Sequence, residues 1–277
     1  MERLVLYPPF DQWWAGRDPF AEVQAMAGET VRNKEGRETR RCVLGGEVFY
    51  RKVHSGVGWA EIFKNLLQGR MAVVDASNEW HAIRRLGELG IPTLEPRAYG
   101  LRGINPAARK SFLITRELTS TLSTAVFTEN WRQEPPDYRL RVAMIRRIAE
   151  IARTLHAGGV NHRDLYLCHF LLDISAGRDA VSADNLRFYV VDLHRAQLRG
   201  RVPRRWLVKD VASLYFSALD IGLTRRDVLR FLRSYFGLPL KTVVRTKSDL
   251  LRAVERKARK LYRRDFNREP VFPIASQ

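Results

Sequence analysis

Asn161-His162-Arg163-Asp164 is the stretch on which the reading of this chain turns. It follows a strongly amphipathic run from Asp137 to His156, in which Ile145, Ile148, Ala152 and Leu155 share one helical stripe and Gly158-Gly159 ends it. It precedes Phe170–Leu172, a short apolar segment that reads as a strand. A polar tetrapeptide held between a buried helix and a buried strand puts the Asp164 carboxylate on an anchored loop. A carboxylate so placed is suited to orienting a substrate hydroxyl and taking its proton.

Working outward, Thr30 to Val53 is β-like. Arg40–Leu44 and Glu47–Lys52 flank Gly45-Gly46, a hairpin signal, and a short strand near Thr30–Arg32 turns back at Lys34-Glu35-Gly36-Arg37. Helices are expected near Ala60–Gln68 and Asn78–Leu89, strands over Thr93–Tyr99 and Ser111–Thr115, and a hinge at Glu117-Leu118-Thr119-Ser120. Phe170–Leu172 and Phe188–Val191 read as the arms of a long β-hairpin. The remainder reads as helical, with a capping box at Thr224-Arg225-Arg226-Asp227 and a last helix over Ser248–Arg264. The expectation is an α+β, two-lobed fold: a small β-rich N-lobe with an aromatic N-terminal extension (1–119), and a larger, mostly helical C-lobe (120–277). That order, with Asp164 where it is, resembles the protein-kinase-like enzymes and their His-Arg-Asp catalytic loop.

Phosphoryl transfer asks little covalent chemistry of a protein. It asks for a carboxylate at the acceptor hydroxyl, cations around the phosphates, and metal ligands. Asp164 fits the first. Lys52 ends the strand Val48-Phe49-Tyr50-Arg51-Lys52, where a lysine contacts the nucleotide phosphates, and either Glu79 or Glu61 is its ion-pair partner, Glu79 having the better helical context. Gly36 and Arg37 sit at the tip of the first hairpin, a thin version of a glycine-rich phosphate loop. Asp192 ends the apolar strand Phe188-Tyr189-Val190-Val191 in the place of the magnesium-binding aspartate of an Asp-Phe-Gly element. Five residues after Asp164, where an asparagine is expected on magnesium, stands His169; it is a metal ligand, a phosphate contact or a core histidine.

The segment after Asp192 is short. About eighteen positions reach Lys209-Asp210-Val211, where the next buried helix is expected to begin, and no Ala-Pro-Glu closes an activation segment. Such brevity suits a small-molecule acceptor more than a peptide. Arg195, Arg199, Arg201, Arg204 and Arg205 crowd it, and guanidinium forks suit carboxylate and phosphate groups.

The 277 residues (32.0 kDa) are 45% hydrophobic and 28% charged, with two cysteines, which excludes a disulfide scaffold and a cysteine-rich zinc site. Neither a signal pattern nor an apolar run long enough to span a bilayer is read, and the expected location is cytoplasmic. Lys and Arg number 48 against 30 acids, a net charge of +18. Two thirds of that excess lies from Gly200 to Gln277, with 19 basic and 7 acidic residues. The expected partners are therefore anionic, and motifs of RNA binding are lacking, so nucleic acid is not among those expected.

Four stretches sharpen the resemblance: Gly58-Trp59-Ala60-Glu61-Ile62-Phe63-Lys64-Asn65-Leu66-Leu67, Asn78-Glu79-Trp80-His81-Ala82-Ile83, Gly103-Ile104-Asn105-Pro106-Ala107, and Asn161-His162-Arg163-Asp164-Leu165-Tyr166-Leu167-Cys168-His169-Phe170. Through them the chain, from about residue 20 to residue 270, resembles the lipopolysaccharide core heptose(I) kinases of Gram-negative bacteria, in which His169 is the expected residue. The resemblance implies ATP and Mg²⁺ as cofactors and the O-4 hydroxyl of the first inner-core heptose of lipopolysaccharide as acceptor. It implies Asp164 as base, Lys52 on phosphate, Asp192 on magnesium, and Asp210 bracing the catalytic loop that holds His162 and Arg163. It also implies work at the cytoplasmic face of the inner membrane. There the arginine loop and basic tail would meet substrate and anionic lipid, and the last helix either lies on the membrane or packs on the C-lobe. An acidic acyl carrier protein docking on the basic C-lobe is a further expectation from charge. The competing readings are a protein-tyrosine kinase or autokinase, and a non-catalytic basic adaptor with a degenerate kinase fold.

Overall fold

The computed structural model describes residues 2–34, 36–67 and 74–274. They form two compact units, the first made of Met1–Arg84, Leu94–Leu118 and Leu193–Arg195, the second of Arg85–Thr93, Thr119–Asp192 and Ala196–Gln277.

The first unit is built on a six-stranded antiparallel sheet, in the order β1 (Glu2–Leu6), β5 (Glu95–Arg102), β6 (Lys110–Arg116), β4 (Glu47–His54), β3 (Arg37–Leu44), β2 (Glu29–Lys34). The β2–β3–β4 meander is the one that the glycine turns predict. β1 is not predicted: five residues of the N-terminal extension pair along β5, from Glu2 opposite Arg102 to Leu6 opposite Ala98. Behind them come two short helices, α1 (Phe10–Trp13) and α2 (Pro19–Ala25), the latter capped by Asp18. Their Phe10, Trp14, Phe20 and Val23 meet Cys42, Phe49, Val53, Phe112 and Ile114 of the sheet in one core. Edge-to-face contacts of Phe10 with Phe49 (5.1 Å) and Phe20 with Phe112 (5.0 Å) set its geometry. The helices α3 (Gly58–Leu67) and α4 (Ser77–Glu88) complete the unit, although the end of α4, from Arg85, belongs to the second one. On α4, Trp80 stacks on Tyr99 of β5 at 4.8 Å, which fixes the helix against the sheet.

The second unit is mostly helical. A three-stranded sheet in the order β10 (Phe188–Val190), β9 (Phe170–Asp173), β7 (Thr121–Ser123) contains the predicted hairpin, and a two-stranded pair joins β8 (Val160–Asn161) to β11 (Gln197–Leu198). The helices are α5 (Thr124–Phe127), α6 (Tyr138–Ala157), α7 (Arg204–Ala218), α8 (Arg225–Phe236) and α9 (Leu240–Phe266). Asp137 caps α6, and Thr224 with Asp227 forms the full capping box of α8. Two expectations are corrected. The helix after Asp192 begins at Arg204 rather than Lys209, because Pro203 at its N-cap position starts it earlier. The last helix runs from Leu240, directly after Pro239, not from Ser248. Its stripe of Val243, Val254, Ala258, Leu261 and Tyr262 is buried in the unit, which favours packing over lying on a membrane. Between α6, α7, α8 and α9 remains an apolar cavity of about 190 Å³, lined by Met144, Ile148, Leu214, Phe231 and Val254 among others. Among the described residues no helix is long and apolar enough to cross a membrane.

Candidate active site

In the first unit, β4 carries Lys52 and α4 carries Glu79, and their side chains meet at 2.5 Å (Lys52 Nζ to Glu79 Oε1). Of the two candidate partners, Glu79 is the one described on Lys52. Glu79 is 3% exposed, so its charge is desolvated and needs the ammonium, whereas the Glu61 side chain lies outside what is described. Lys52 is opposite Thr39 of β3 and Leu113 of β6, central in the sheet and therefore stiffly held. Gly36 turns β2 into β3 with φ +72°, and a Cβ there would stand 2.6 Å from the carbonyl oxygen of Gly56. Only glycine closes that turn, and Arg37 follows it as the first residue of β3.

In the second unit the loop of Asn161 to Asp164 leaves β8 with its backbone clamped from α7. The fully buried Asp210 accepts from the backbone N–H of His162 (Oδ2, 2.7 Å) and of Arg163 (Oδ1, 2.8 Å). His156 Nε2, 3.4 Å from Asp210 Oδ2, is tied through Nδ1 to the Tyr235 hydroxyl at 2.7 Å, which roots the clamp in α6 and α8. Arg163 has φ +74°, a strained conformation for a residue with a Cβ, and its guanidinium lies 5.0 Å over the Trp206 ring of α7. His162 is buried, and burial pushes it toward the neutral form; Nε2–H donates to the carbonyl of Val191 at 3.0 Å. The loop is thereby tied to the strand end that carries Asp192.

Asp164 and Asp192 are linked by His169. Its Nδ1–H donates to the Asp164 carbonyl oxygen at 2.6 Å, and its Nε2 lies 3.3 Å from Asp192 Oδ2. Burial opposes its charge, but Cys168, the Asp164 carbonyl and Asp192 outweigh burial and raise it to about 9. Held this way, His169 couples the loop backbone at Asp164 to the side chain of Asp192. Asp192 has φ +63°, which an aspartate tolerates, and its side chain is 38% exposed. Among the described residues no three His, Cys, Asp or Glu side chains gather as a metal cage. One accessible carboxylate completed by phosphate oxygens and water is the donor set that magnesium accepts, so the residues fit that ion.

Asp164 also receives Lys209 of α7, whose Nζ is 3.4 Å from Oδ1. Sequence reading used Lys209 only to mark a helix, and missed this contact because 45 residues separate the two. Of the five arginines, Arg195 falls in the first unit. Arg199, Arg201, Arg204 and Arg205 are exposed in the second, Arg204 and Arg205 within the first turn of α7 and Arg199 beside Gln197 at 2.7 Å. The first unit holds a cation–carboxylate pair, and the second a loop carboxylate beside a metal-competent one, each of them a part that phosphoryl transfer uses.

A family model described as the lipopolysaccharide kinase (Kdo/WaaP) family matches residues 21–235. The chain belongs to this family. The lipopolysaccharide core heptose(I) kinase WaaP of Pseudomonas aeruginosa is 51% identical over 262 residues, covering 95% of this chain and 97% of the relative. The WaaP of Escherichia coli is 45% identical over 262 residues, covering 94% and 97%. Among solved structures, WaaP in complex with acyl carrier protein superposes with a TM-score of 0.83 at 47% identity, covering 94% of this chain and 99% of that one. The α+β fold expected from the sequence is thus the fold of a Kdo/WaaP kinase, and the His-Arg-Asp loop, with His169 in it, belongs to a family of kinases.

Proposed function

We propose that this Kdo/WaaP kinase transfers the γ-phosphoryl group of ATP to the O-4 hydroxyl of the first inner-core heptose of lipopolysaccharide. The observation that carries the reading is the clamped loop of Asp164 beside Asp192, in a chain half identical to a named heptose(I) kinase. The acceptor oxygen attacks the γ-phosphorus, the bond to the β–γ bridging oxygen breaks, ADP leaves, and the hydroxyl proton passes to Asp164. Lys52, aligned by Glu79, holds the nucleotide phosphates, with the amides near Gly36 and the side chain of Arg37 adding to that hold. Asp192 would hold Mg²⁺, which neutralises phosphate charge when bound, and His169 braces Asp192. Arg199, Arg201, Arg204 and Arg205, and Arg195 of the other unit, supply forks for the phosphates and carboxylates of the acceptor.

The charge of +18 favours peripheral association with the anionic inner leaflet, where this acceptor is anchored. It equally favours an acidic acyl carrier protein docking on the second unit. The WaaP neighbour in complex with such a carrier supports that partner, and the apolar cavity among α6 to α9 is of a kind that would take an acyl chain.

The test is transfer from labelled ATP with Mg²⁺ to purified lipopolysaccharide lacking heptose phosphate, beside Asp164→Ala. Label in the inner-core heptose that the variant fails to deliver is the expected result. Label confined to protein would replace this reading with an autokinase, and failure to bind ATP would end the kinase reading.

A further inference from the structure

The two oxygens of the Asp164 carboxylate have different tasks in a base. One must face the acceptor hydroxyl, and for that the other must be held still. His169 engages the Asp164 backbone carbonyl and Asp192 rather than the Asp164 carboxylate oxygens. Lys209 reaches in from α7, with Nζ 3.4 Å from Oδ1, the lysine side chain 24% and the aspartate side chain 16% exposed. We infer that Lys209 is a positioning residue of the catalytic base, its ammonium holding the Asp164 carboxylate by Oδ1. The inference rests on the reading of Asp164 as base given above.

The surroundings of Lys209 are those of a group built to be still. Trp206, one turn earlier on α7, lies with its ring 6.0 Å from Nζ and also receives Arg163 at 5.0 Å and Arg205 at 5.2 Å. The next residue, Asp210, grips the loop backbone, and further along the helix Ser217 Oγ accepts from the Leu167 N–H at 2.9 Å. One helix therefore holds the loop by its backbone at both ends and its reactive side chain in between. At partial burial the Lys209–Asp164 attraction is stronger than for a solvated pair. A cation on the carboxylate reduces its basicity, yet the loose transition state of phosphoryl transfer gains more from orientation of the acceptor than from basicity.

The test compares Lys209→Met, Lys209→Arg, Asp164→Asn and Lys209→Met/Asp164→Asn in steady-state transfer from ATP to the heptose acceptor, with nucleotide binding and thermal midpoints measured on each. Expected for Lys209→Met is a fall in kcat of about 100-fold with KM for both substrates within about twofold, as when one aligned donor is lost from a site. Lys209→Arg should recover most of the loss, and the double variant should be no slower than Asp164→Asn, because both changes disable one unit. A Lys209→Met enzyme within threefold of wild type, a loss confined to KM, or losses that multiply in the double variant would overturn the inference. Should Lys209→Met fold poorly, Lys209→Gln replaces it, and the kcat ratio of Gln to Arg decides. Asp164→Asn with full activity would remove the base reading and this inference with it, whereas an inactive Asp164→Asn beside a fully active Lys209→Met would remove the inference alone. Absence of heptose transfer by the wild type would overturn both.

Discussion

Lys52 and Glu79 show how strongly a single pair is constrained by burial. Glu79 is 3% exposed and Lys52 is its ion partner, so Lys52→Met strands a buried carboxylate. The expected cost is about 3 kcal/mol of unfolding free energy, while Lys52→Met/Glu79→Met, which removes both charges, should recover most of it. Urea unfolding of the three chains measures this directly, and both variants should have lost nucleotide binding. His54, at the end of the same strand, behaves in the opposite sense to His169. Burial, with Arg37 and Lys52 adding to it, lowers it to about 4 from 6.5. The unfolded chain thus binds a proton at His54 before the native chain does, and stability should fall as pH drops from 6.5 toward 4, by roughly a kcal/mol per pH unit from this group. His54→Gln should flatten that part of the stability–pH curve; an unchanged slope between pH 6.5 and 4.5 would contradict the burial argument.

Elements position the reactive loop through backbone proximity as much as through side chains. β8 pairs with β11 only because Gly159, with φ +78°, lets the chain pass close to Arg199: a Cβ there would sit 1.8 Å from the Arg199 carbonyl oxygen. Gly159→Ala should cost at least about 2 kcal/mol, from the left-handed backbone and the displaced strand together, and should lower kcat with it. Differential scanning calorimetry beside the transfer assay checks both effects. The elements legible in the sequence are those with local signals. Gly45-Gly46 marks the hairpin, the stripe of Ile145, Ile148 and Ala152 marks α6, and Thr224 with Asp227 marks the start of α8. What escaped is non-local. β1 is five residues of mixed character whose partner lies about ninety positions away, and α9 is longer than its apolar stripe because its first turns have only Val243 buried. The site divides the same way. Asp164, Lys52 and Asp192 are readable from motif order, whereas the Trp206 stack and the reach of Lys209 exist only once α7 has docked, and the link through His169 only once the β9–β10 hairpin brings Asp192 beside the loop.

At the scale of the whole molecule, charge is the dominant surface property. With +18 overall and most of the excess after Gly200, association with an acidic carrier protein or with anionic vesicles should be largely electrostatic. Raising salt from about 50 mM to 500 mM should weaken either association by at least about tenfold, chiefly through the association rate, and neutral vesicles should bind little at any salt. Vesicle co-sedimentation and carrier-protein titration give the two slopes; salt-insensitive binding would point to apolar contact instead. The β1 strand has a consequence of another kind. It pairs with β5 from Ala98 to Arg102, where Ala98, Tyr99 and Leu101 are buried, and it presents Glu2 and Arg3 at the sheet margin. A chain deprived of those first residues would bare a long row of hydrogen-bonding groups next to apolar side chains, an invitation for another copy to add its own strand. β1 therefore moves the sheet's edge outward from that apolar row to one bearing Glu2 and Arg3, charged side chains of the kind that discourage a further strand from pairing.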